Sequence, residues 1–176
     1  YPLWKILHIK ESRPDIFHKT SYFTSQLEYI FEQLTGQIVG SKTIASGTGM
    51  FNIHTLDWDD DILNLAGINR TMLTKLYEPT YTAPLQDSIA RHLGLKKGLP
   101  VIIGGADGAL NQIGAGALKK EIMTLSVGTS GALRLTYDEP VLPENTSTWC
   151  YYALNGKRLA GAATSGAGNC LEWFTK

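Results

Sequence analysis

Apolar residues in the first third of the chain recur three or four positions apart, which is helical spacing. Two such sets predict two amphipathic helices. The first set is Leu3, Ile6, Leu7 and Ile9, and the second is Leu27, Ile30, Phe31 and Leu34. Pro14 separates the two helices or begins the second, and Gly36 ends it. Two shorter helices are expected at residues 69–76, capped by Asn69, and at residues 88–93.

The middle of the chain, residues 98–135, changes to short apolar runs between glycine-rich turns. The first run, 101–103, is rich in β-branched residues and bounded by glycines, which predicts a buried strand. Asp107 follows, and the spacing of the next apolar residues predicts a helix over 108–117. We expect Asp107 at the N-cap of that helix, where free N–H groups and the helix dipole favour an ionised carboxylate. The residue either only caps the helix or is open to a ligand.

Strand patterns dominate the last third of the chain. Apolar runs predict strands at 122–127, 132–137, 149–154 and 158–162. Asn155-Gly156 is a strong hairpin signal, and residues 138–147 are expected to form a loop containing Pro140, Pro143 and Asn145. A final helix should begin at the Gly-Ala-Gly-Asn segment 166–169, with Leu171, Trp173 and Phe174 buried. The change to strand-rich sequence places a domain boundary near residues 118–121.

Length and composition narrow the class of protein. The 176 residues can form one domain or two small ones, and the mixed pattern predicts an α/β fold. Sixteen basic residues balance 16 acidic ones, so the net charge of 0 favours neither a nucleic acid nor a membrane surface as partner. No apolar run reaches about 18 residues, so we expect no transmembrane helix. Cys150 and Cys170 lack metal-site spacing and are expected to be free thiols in a cytoplasmic protein, with a disulfide left open.

The turn formed by Gly128, Thr129, Ser130 and Gly131 is a candidate phosphate-binding site. Glycines allow close backbone approach, and hydroxyl and N–H groups can donate to a phosphate, although an ordinary hairpin turn has the same composition.

Two further positions could bind anions. Arg134 lies on the strand that leaves the turn and suits a carboxylate ligand, or else it faces solvent or pairs with Asp138 or Glu139. The helix start at Gly168 is a candidate anion site or a plain glycine-rich helix start.

Three other features are interpreted as structural. The segment 46–49, Ser-Gly-Thr-Gly, lacks the lysine and helix start of a phosphate loop and is expected to be a turn. The acidic run 57–61 lacks the alternation of a calcium loop, and acids suit a helix start. His8 has no second metal-ligand residue at helical spacing.

The segment GGADGALNQIGAGALKKEIMTLSVGTSGALRL resembles the centre of the FGGY carbohydrate kinases, in which a strand-end aspartate precedes a Gly-Thr-Ser/Thr-Gly phosphate turn. The resemblance covers essentially the whole chain, with LTGQIVGSKTIASGTGMFNIHTLDWDDDILNLAGI upstream and RLAGAATSGAGNCLEWF downstream. Within the family the chain looks most like gluconate kinases, which share Asp-Gly after the glycines and GTSGA followed by Val, Ile or Leu and then Arg. Xylulose kinases are next, but they usually carry Asn where this chain has Gly108.

The resemblance implies an actin-like ATPase fold with two lobes built on ribonuclease H-like sheets, and with sugar and ATP meeting between the lobes. Residues 1–118 would be the end of the N-terminal, sugar-binding lobe, and residues 119–176 the start of the C-terminal, nucleotide-binding lobe. By motif match Asp107 is the catalytic base, and the substrate-binding residues are Asp107, Gly108 and Arg134. The nucleotide-binding residues are Gly128, Thr129, Ser130, Gly168 and Asn169. ATP and Mg²⁺ are implied, with no metal ligand named.

The implied activity is ATP-dependent phosphorylation of a sugar or sugar acid, with gluconate favoured and xylulose or another pentulose as the alternative. The remaining alternatives are an actin-like nucleotide-binding protein and a non-catalytic α/β module. The chain begins with Tyr1 and lacks the N-terminal Asp-x-Gly-Thr-Thr/Ser loop of the family. It therefore resembles an internal piece that we expect to be inactive alone. The oligomeric state is left open, with a homodimer among the alternatives.

Overall fold

The chain divides into two compact units, an N-terminal unit of Tyr1–Gly105 and a C-terminal unit of Ala106–Lys176. The structure is a computed structural model that describes residues 1–144 and 148–175. Both units mix helices and strands, which confirms the α/β class. Residues 145–147, which include the predicted loop residue Asn145, lie outside the described residues.

The N-terminal unit carries six α-helices and six short strands along its described length. Its helices are α1 (Pro2–Ser12), α2 (Pro14–Lys19), α3 (Gln26–Thr35), α4 (Lys42–Ala45), α5 (Asp60–Ala66) and α6 (Asp87–Leu93). Its strands are β1 (Val39–Ser41), β2 (Phe51–Asn52), β3 (Asp57–Trp58), β4 (Lys75–Tyr77), β5 (Thr82–Pro84) and β6 (Pro100–Ile102). Pro14 separates the two predicted helices, α1 and α3, and it begins α2, a short helix between them that was not predicted.

Local capping chemistry explains where several of these helices begin and end. Ser25 and Glu28 form a reciprocal capping box at the start of α3, and Gly36 ends that helix in the left-handed conformation that glycine adopts without strain. Asp59 accepts N–H bonds at the start of α5, and Gly94 ends α6 in the same left-handed way. The expected ends of α3 and α6 are therefore confirmed.

Two apolar clusters hold the N-terminal unit together. The larger is built on α1, α2 and α5, and the smaller on α3 and the strands around it. The larger contains Leu3, Ile6, Phe17, Ala45, Met50, Trp58, Leu63, Ala66, Ile68 and Leu73, and the smaller contains Phe31, Val39, Ala83 and Ile103. Trp58 also donates from its indole nitrogen to the carbonyl of Thr74 at 2.7 Å, so its buried N–H is satisfied.

Two predictions for this unit are wrong. The expected helix at 69–76 is only a 3₁₀ turn, Arg70–Met72, because β4 follows it and pairs in parallel with β1. The strand before Asp107 is not buried along its length. Among the described residues it pairs only with β5, and Ile102 is 63% exposed while Ile103 beyond it is 2% exposed.

The C-terminal unit is an antiparallel sheet with a helix at each end of its sequence. The elements are α7 (Asp107–Gly114), β7 (Thr124–Val127), β8 (Gly131–Tyr137), β9 (Trp149–Tyr152), β10 (Arg158–Thr164) and α8 (Gly168–Thr175). The sheet order is β7-β8-β10-β9, with all neighbours antiparallel. Asn155 and Gly156 both have positive φ, 51° and 77°, which confirms the tight hairpin between β9 and β10.

Helix α8 differs from the expectation. Its apolar side chains are exposed rather than buried, at 67% for Leu171, 79% for Trp173 and 80% for Phe174. The prediction assumed a packing partner for an amphipathic helix, and the described residues place none over these three side chains.

A buried glutamine joins α7 to the sheet. Gln112 is fully buried, and its amide nitrogen donates to the carbonyl of Ala117 at 2.8 Å and to the hydroxyl of Thr136 at 3.3 Å. Its amide oxygen accepts from the hydroxyl of Thr124 on β7. Thr136 on β8 also donates to Ala117, at 2.7 Å. One side chain therefore ties α7 to two strands and to the segment that follows the helix.

Replacing Gln112 with leucine should destabilise the protein, because the hydroxyl of Thr124 would lose its acceptor in a part-buried position. We expect the free energy of unfolding to fall by about 1–3 kcal/mol, measured by denaturant titration. The exposed neighbour Asn111 provides the control, since Asn111→Ala should change stability by less than about 0.5 kcal/mol. Equal effects of the two substitutions would contradict the role given to Gln112.

Candidate functional site

Asp107 is the first residue of α7 and lies at the surface. The N-cap is Ala106, so the prediction that Asp107 occupies the N-cap is wrong. The helix begins one residue earlier than expected, and the Oδ1 atom of Asp107 accepts from the backbone N–H of Gly108 at 2.7 Å. The carboxylate remains exposed and in the first turn, where the helix dipole favours a negative charge. It is accessible to a ligand.

Arg134 on β8 lies against the first turn of α7. A Cβ atom added to Gly108 would be 3.2 Å from the Nε atom of Arg134 and 3.7 Å from its Cζ atom, so the guanidinium passes close to that glycine. The Nη1 atom donates to the hydroxyl of Ser126 on β7 at 2.9 Å. The expectation that Gly108 and Arg134 belong to one site stays a prediction, but the structure places them in contact.

Arg134 does not form the ion pairs that sequence reasoning left open. Asp138 binds Lys157 instead, at 2.7 Å, and Lys157 holds the pKa of the Asp138 carboxyl below its ordinary value. Among the residues that the structure describes, no carboxylate pairs with Arg134. Its side chain is half-buried, with one hydrogen bond to a neutral hydroxyl. A guanidinium in that situation can accept an external carboxylate.

The turn 128–131 packs against the start of α8. The N–H of Gly168 donates to the carbonyl of Gly128 at 2.9 Å, and the N–H of Ala167 donates to the carbonyl of Thr129 at 3.2 Å. A Cβ atom at position 168 would be 2.6 Å from the Gly128 carbonyl oxygen, so only glycine fits there without displacing backbone. The structure thus brings the predicted nucleotide-binding residues of the turn and of α8 together.

The hydroxyl groups of the turn suit a phosphate. Thr129 and Ser130 are exposed, and neither side-chain hydroxyl makes a hydrogen bond to another described residue. Asn169 has a different local role, because its Oδ1 atom accepts from the N–H groups of Ala167 at 2.8 Å and Cys170 at 2.9 Å. Its part in nucleotide binding stays a prediction.

Sequence reasoning missed Ser126 and Gln112. Ser126 precedes the turn by two residues and faces the same side of the sheet as Arg134, because Thr124 pairs with Arg134 and Ser126 pairs with Ala132 across β7 and β8. The available signal was the alternation Thr124-Leu-Ser126-Val, which puts two hydroxyl groups on one face of a strand.

Two of the features interpreted as structural, the segment 46–49 and the acidic run 57–61, have local partners. The segment 46–49 is a turn in which the hydroxyl of Thr48 donates to Ala45, which confirms the structural interpretation. In the acidic run, Asp57 and Asp60 bind Arg70 at 2.7 and 2.6 Å, and the guanidinium lowers the pKa of Asp60. Within residues 1–144 and 148–175, no group of three or more histidine, cysteine or acidic side chains could hold a metal ion.

A family profile described as "FGGY family of carbohydrate kinases, N-terminal domain" matches residues 1–114. The chain belongs to the FGGY family. Over 98% of its length it is 35% identical to a gluconokinase of Bacillus subtilis, and it covers 34% of that protein. Over its full length it is 32% identical to a xylulose kinase of the same organism and covers 36% of it. The chain therefore spans about a third of the length of these relatives.

Solved structures of FGGY kinases share the fold. Structures from Lactobacillus acidophilus described as a xylulose kinase and as a gluconate kinase each match 98% of this chain and 35% of theirs, with a TM-score of 0.93 and 33% identity. A glycerol kinase of Plasmodium falciparum, at 18% identity, matches with a TM-score of 0.85, which shows the fold alone. These matches confirm the actin-like architecture.

Several expectations stay predictions. The lobe boundary at 118/119 stays a prediction. In this structure the compact units divide at 105/106, which puts Asp107 and the turn 128–131 in one unit. The cytoplasmic location and the homodimer are untested. No helix among the described residues is long and apolar enough to cross a membrane.

Replacing Gly168 with alanine should push the turn away from α8, because the new Cβ would meet the Gly128 carbonyl at 2.6 Å. We expect a loss of about 1–3 kcal/mol of stability together with weaker ATP binding, measured by denaturant titration and calorimetry. Gly114→Ala, at a helical glycine with open space around it, is the control and should be neutral or stabilising by up to about 1 kcal/mol. Unchanged ATP affinity in Gly168→Ala would count against a nucleotide site here.

Proposed function

We propose that this chain is the central part of an ATP-dependent kinase that phosphorylates a sugar acid, with gluconate as the favoured substrate. One observation carries the proposal: the exposed carboxylate of Asp107 and the half-buried guanidinium of Arg134, which has no carboxylate partner among the described residues, both lie at the first turn of α7. A general base serves the transfer of a phosphoryl group to a hydroxyl, and a carboxylate-binding group serves the recognition of a sugar acid.

Asp107 serves as the general base. Its carboxylate accepts the proton of a substrate hydroxyl as that oxygen attacks the terminal phosphorus of ATP. The hydroxyl O–H bond breaks, an O–P bond forms, and the bond from the terminal phosphorus to the bridging oxygen breaks to release ADP. The proton leaves Asp107 for solvent when the phosphorylated product departs. The exposed position of Asp107 supports this role because the substrate hydroxyl has to reach it.

The turn 128–131 and the start of α8 bind the phosphates of ATP. The exposed hydroxyls of Thr129 and Ser130 can donate to phosphate oxygens. The close contact between Gly168 and Gly128 holds the start of α8 beside them. Magnesium, which the family implies, would neutralise phosphate charge. No ligand for it is assigned within this chain.

Arg134 selects a sugar acid over a neutral sugar. Its planar guanidinium keeps four of five N–H donors beyond the bond to Ser126, enough for a bidentate carboxylate contact. The alternative substrate is xylulose or another pentulose, which the 32% identity to a xylulose kinase supports. A pentulose has no carboxylate, so it would leave the charge of Arg134 without a matching group.

Replacing Asp107 with asparagine in protein made from the full reading frame should lower kcat about 100-fold or more, because the amide cannot accept the proton. The assay measures ADP release with gluconate, xylulose, ribulose and glycerol. Asp87 is the matched control, since it is also the first residue of a helix, and Asp87→Asn should leave kcat unchanged. Phosphorylation that survives in Asp107→Asn and Asp107→Ala would remove the mechanism, and ATP hydrolysis without any sugar dependence would indicate an actin-like nucleotide-binding protein.

Replacing Arg134 with glutamine should raise the KM for gluconate about tenfold or more, because a charged hydrogen-bond pair to the substrate is lost. The kcat/KM for D-glucitol, the neutral alcohol with the same carbon chain, should change by less than about twofold. Both constants come from the same ADP-release assay. An equal loss for both compounds would show that Arg134 has no role in choosing the acid.

A further inference from the structure

Ser126 is the only residue among those described that hydrogen-bonds to the guanidinium of Arg134. Its hydroxyl accepts from Nη1 at 2.9 Å, and the two residues lie on neighbouring strands, β7 and β8, on the same face of the sheet. Ser126 is exposed, so the bond is not needed to satisfy a buried polar group. Its effect is to restrict where the guanidinium can lie.

Gly108 lies against the same guanidinium. A Cβ atom at this position would be 3.2 Å from Nε and 3.7 Å from both Cζ and Nη2 of Arg134, and the first of these distances is closer than an ordinary carbon contact. Arg134 would have to move by a few tenths of an ångström for alanine to fit. The absent side chain at position 108 therefore creates the space that the guanidinium occupies.

We propose that Gly108 and Ser126 set the preference of this kinase for sugar acids by holding the Arg134 guanidinium against the first turn of α7. This inference rests on the proposed function, in which Arg134 binds the substrate carboxylate. Gly108 supplies the space, and Ser126 supplies the one hydrogen bond that orients the group. Neither residue transfers a proton, so both are positioning residues for Arg134.

The physical basis is the geometry of a carboxylate contact. A guanidinium binds a carboxylate best through two parallel N–H bonds in one plane, so its orientation matters as much as its charge. A free arginine side chain loses considerable rotamer freedom when a ligand orders it. A guanidinium that Ser126 already holds in the space left by Gly108 loses less, and the gain applies only to substrates that have a carboxylate.

The same arrangement predicts how the preference could be lost. A larger side chain at position 108 would move the guanidinium away from α7, and loss of the hydroxyl at position 126 would let it rotate. In both cases Arg134 keeps its charge while its orientation changes. Gluconate should then lose affinity, whereas a neutral polyol should not.

The test compares Ser126→Ala, Ser126→Thr and Gly108→Ala in protein made from the full reading frame, with gluconate and D-glucitol as substrates. We expect Ser126→Ala to raise the KM for gluconate about fivefold to tenfold with little change in kcat, and Ser126→Thr, which keeps the hydroxyl, to restore it. Gly108→Ala should raise the same KM by a similar factor. Ser126→Ala should leave kcat/KM for D-glucitol unchanged. Ser88→Ala, an exposed helical serine of the N-terminal unit, is the control and should change none of these constants.

Two results would overturn the inference. One is an unchanged gluconate KM in both Ser126→Ala and Gly108→Ala, and the other is an equal loss for gluconate and D-glucitol, which would indicate general damage to the fold. A wild-type enzyme that shows no preference for gluconate over D-glucitol would instead end the proposed function. Because that result is obtained from the unmodified protein, the two failures can be told apart.

Discussion

The arrangement of the C-terminal unit depends on the hydrogen bonds of the buried Gln112 side chain. Its amide joins α7 to β7 and β8 through Thr124 and Thr136, and it also binds the carbonyl of Ala117. The candidate base lies at the start of α7, and the candidate carboxylate-binding arginine lies on β8. The contact between Gly108 and Arg134 exists because the helix is held at this distance from the sheet. A buried amide is suited to that task because leaving its partners unsatisfied costs more free energy than an apolar mismatch.

Local chemistry made a large part of the fold predictable. Glycines after α3 and α6, and the Asn155-Gly156 turn, depend on backbone conformations that few residues adopt, so their positions could be predicted from a few neighbouring residues. Predictions failed where residues far away in the sequence determine the local structure. Residues 75–77 form strand β4 because β1 lies beside them. Whether Trp173 in α8 is buried depends on which residues pack against it, and no local sequence pattern indicates that.

The candidate site was predictable in its residue types but not in its contacts. Asp107, the 128–131 turn and Arg134 stand out because a strand-end acid, a glycine-hydroxyl turn and a strand arginine are unusual in combination. Ser126 does not stand out, since a serine in a strand has no distinctive spacing. Its importance comes from β-sheet register, which places it diagonally across from Arg134. Likewise the helix start at Asp107 differs by one residue from the prediction, because helix ends are set by competing hydrogen bonds of similar energy.

The contact between Gly168 and Gly128 has a mechanical consequence. Two backbones meet there with no side chain between them, and two N–H bonds join the turn to the first residues of α8. Because no flexible group can absorb a change at this junction, a phosphate that draws the turn toward itself would also displace the helix. An eight-residue helix is about 12 Å long, so a small rotation at its start becomes a larger movement at its far end. Trp173 and Phe174 lie near that end. The surroundings of their indole and phenyl rings would therefore change when a phosphate binds at the turn.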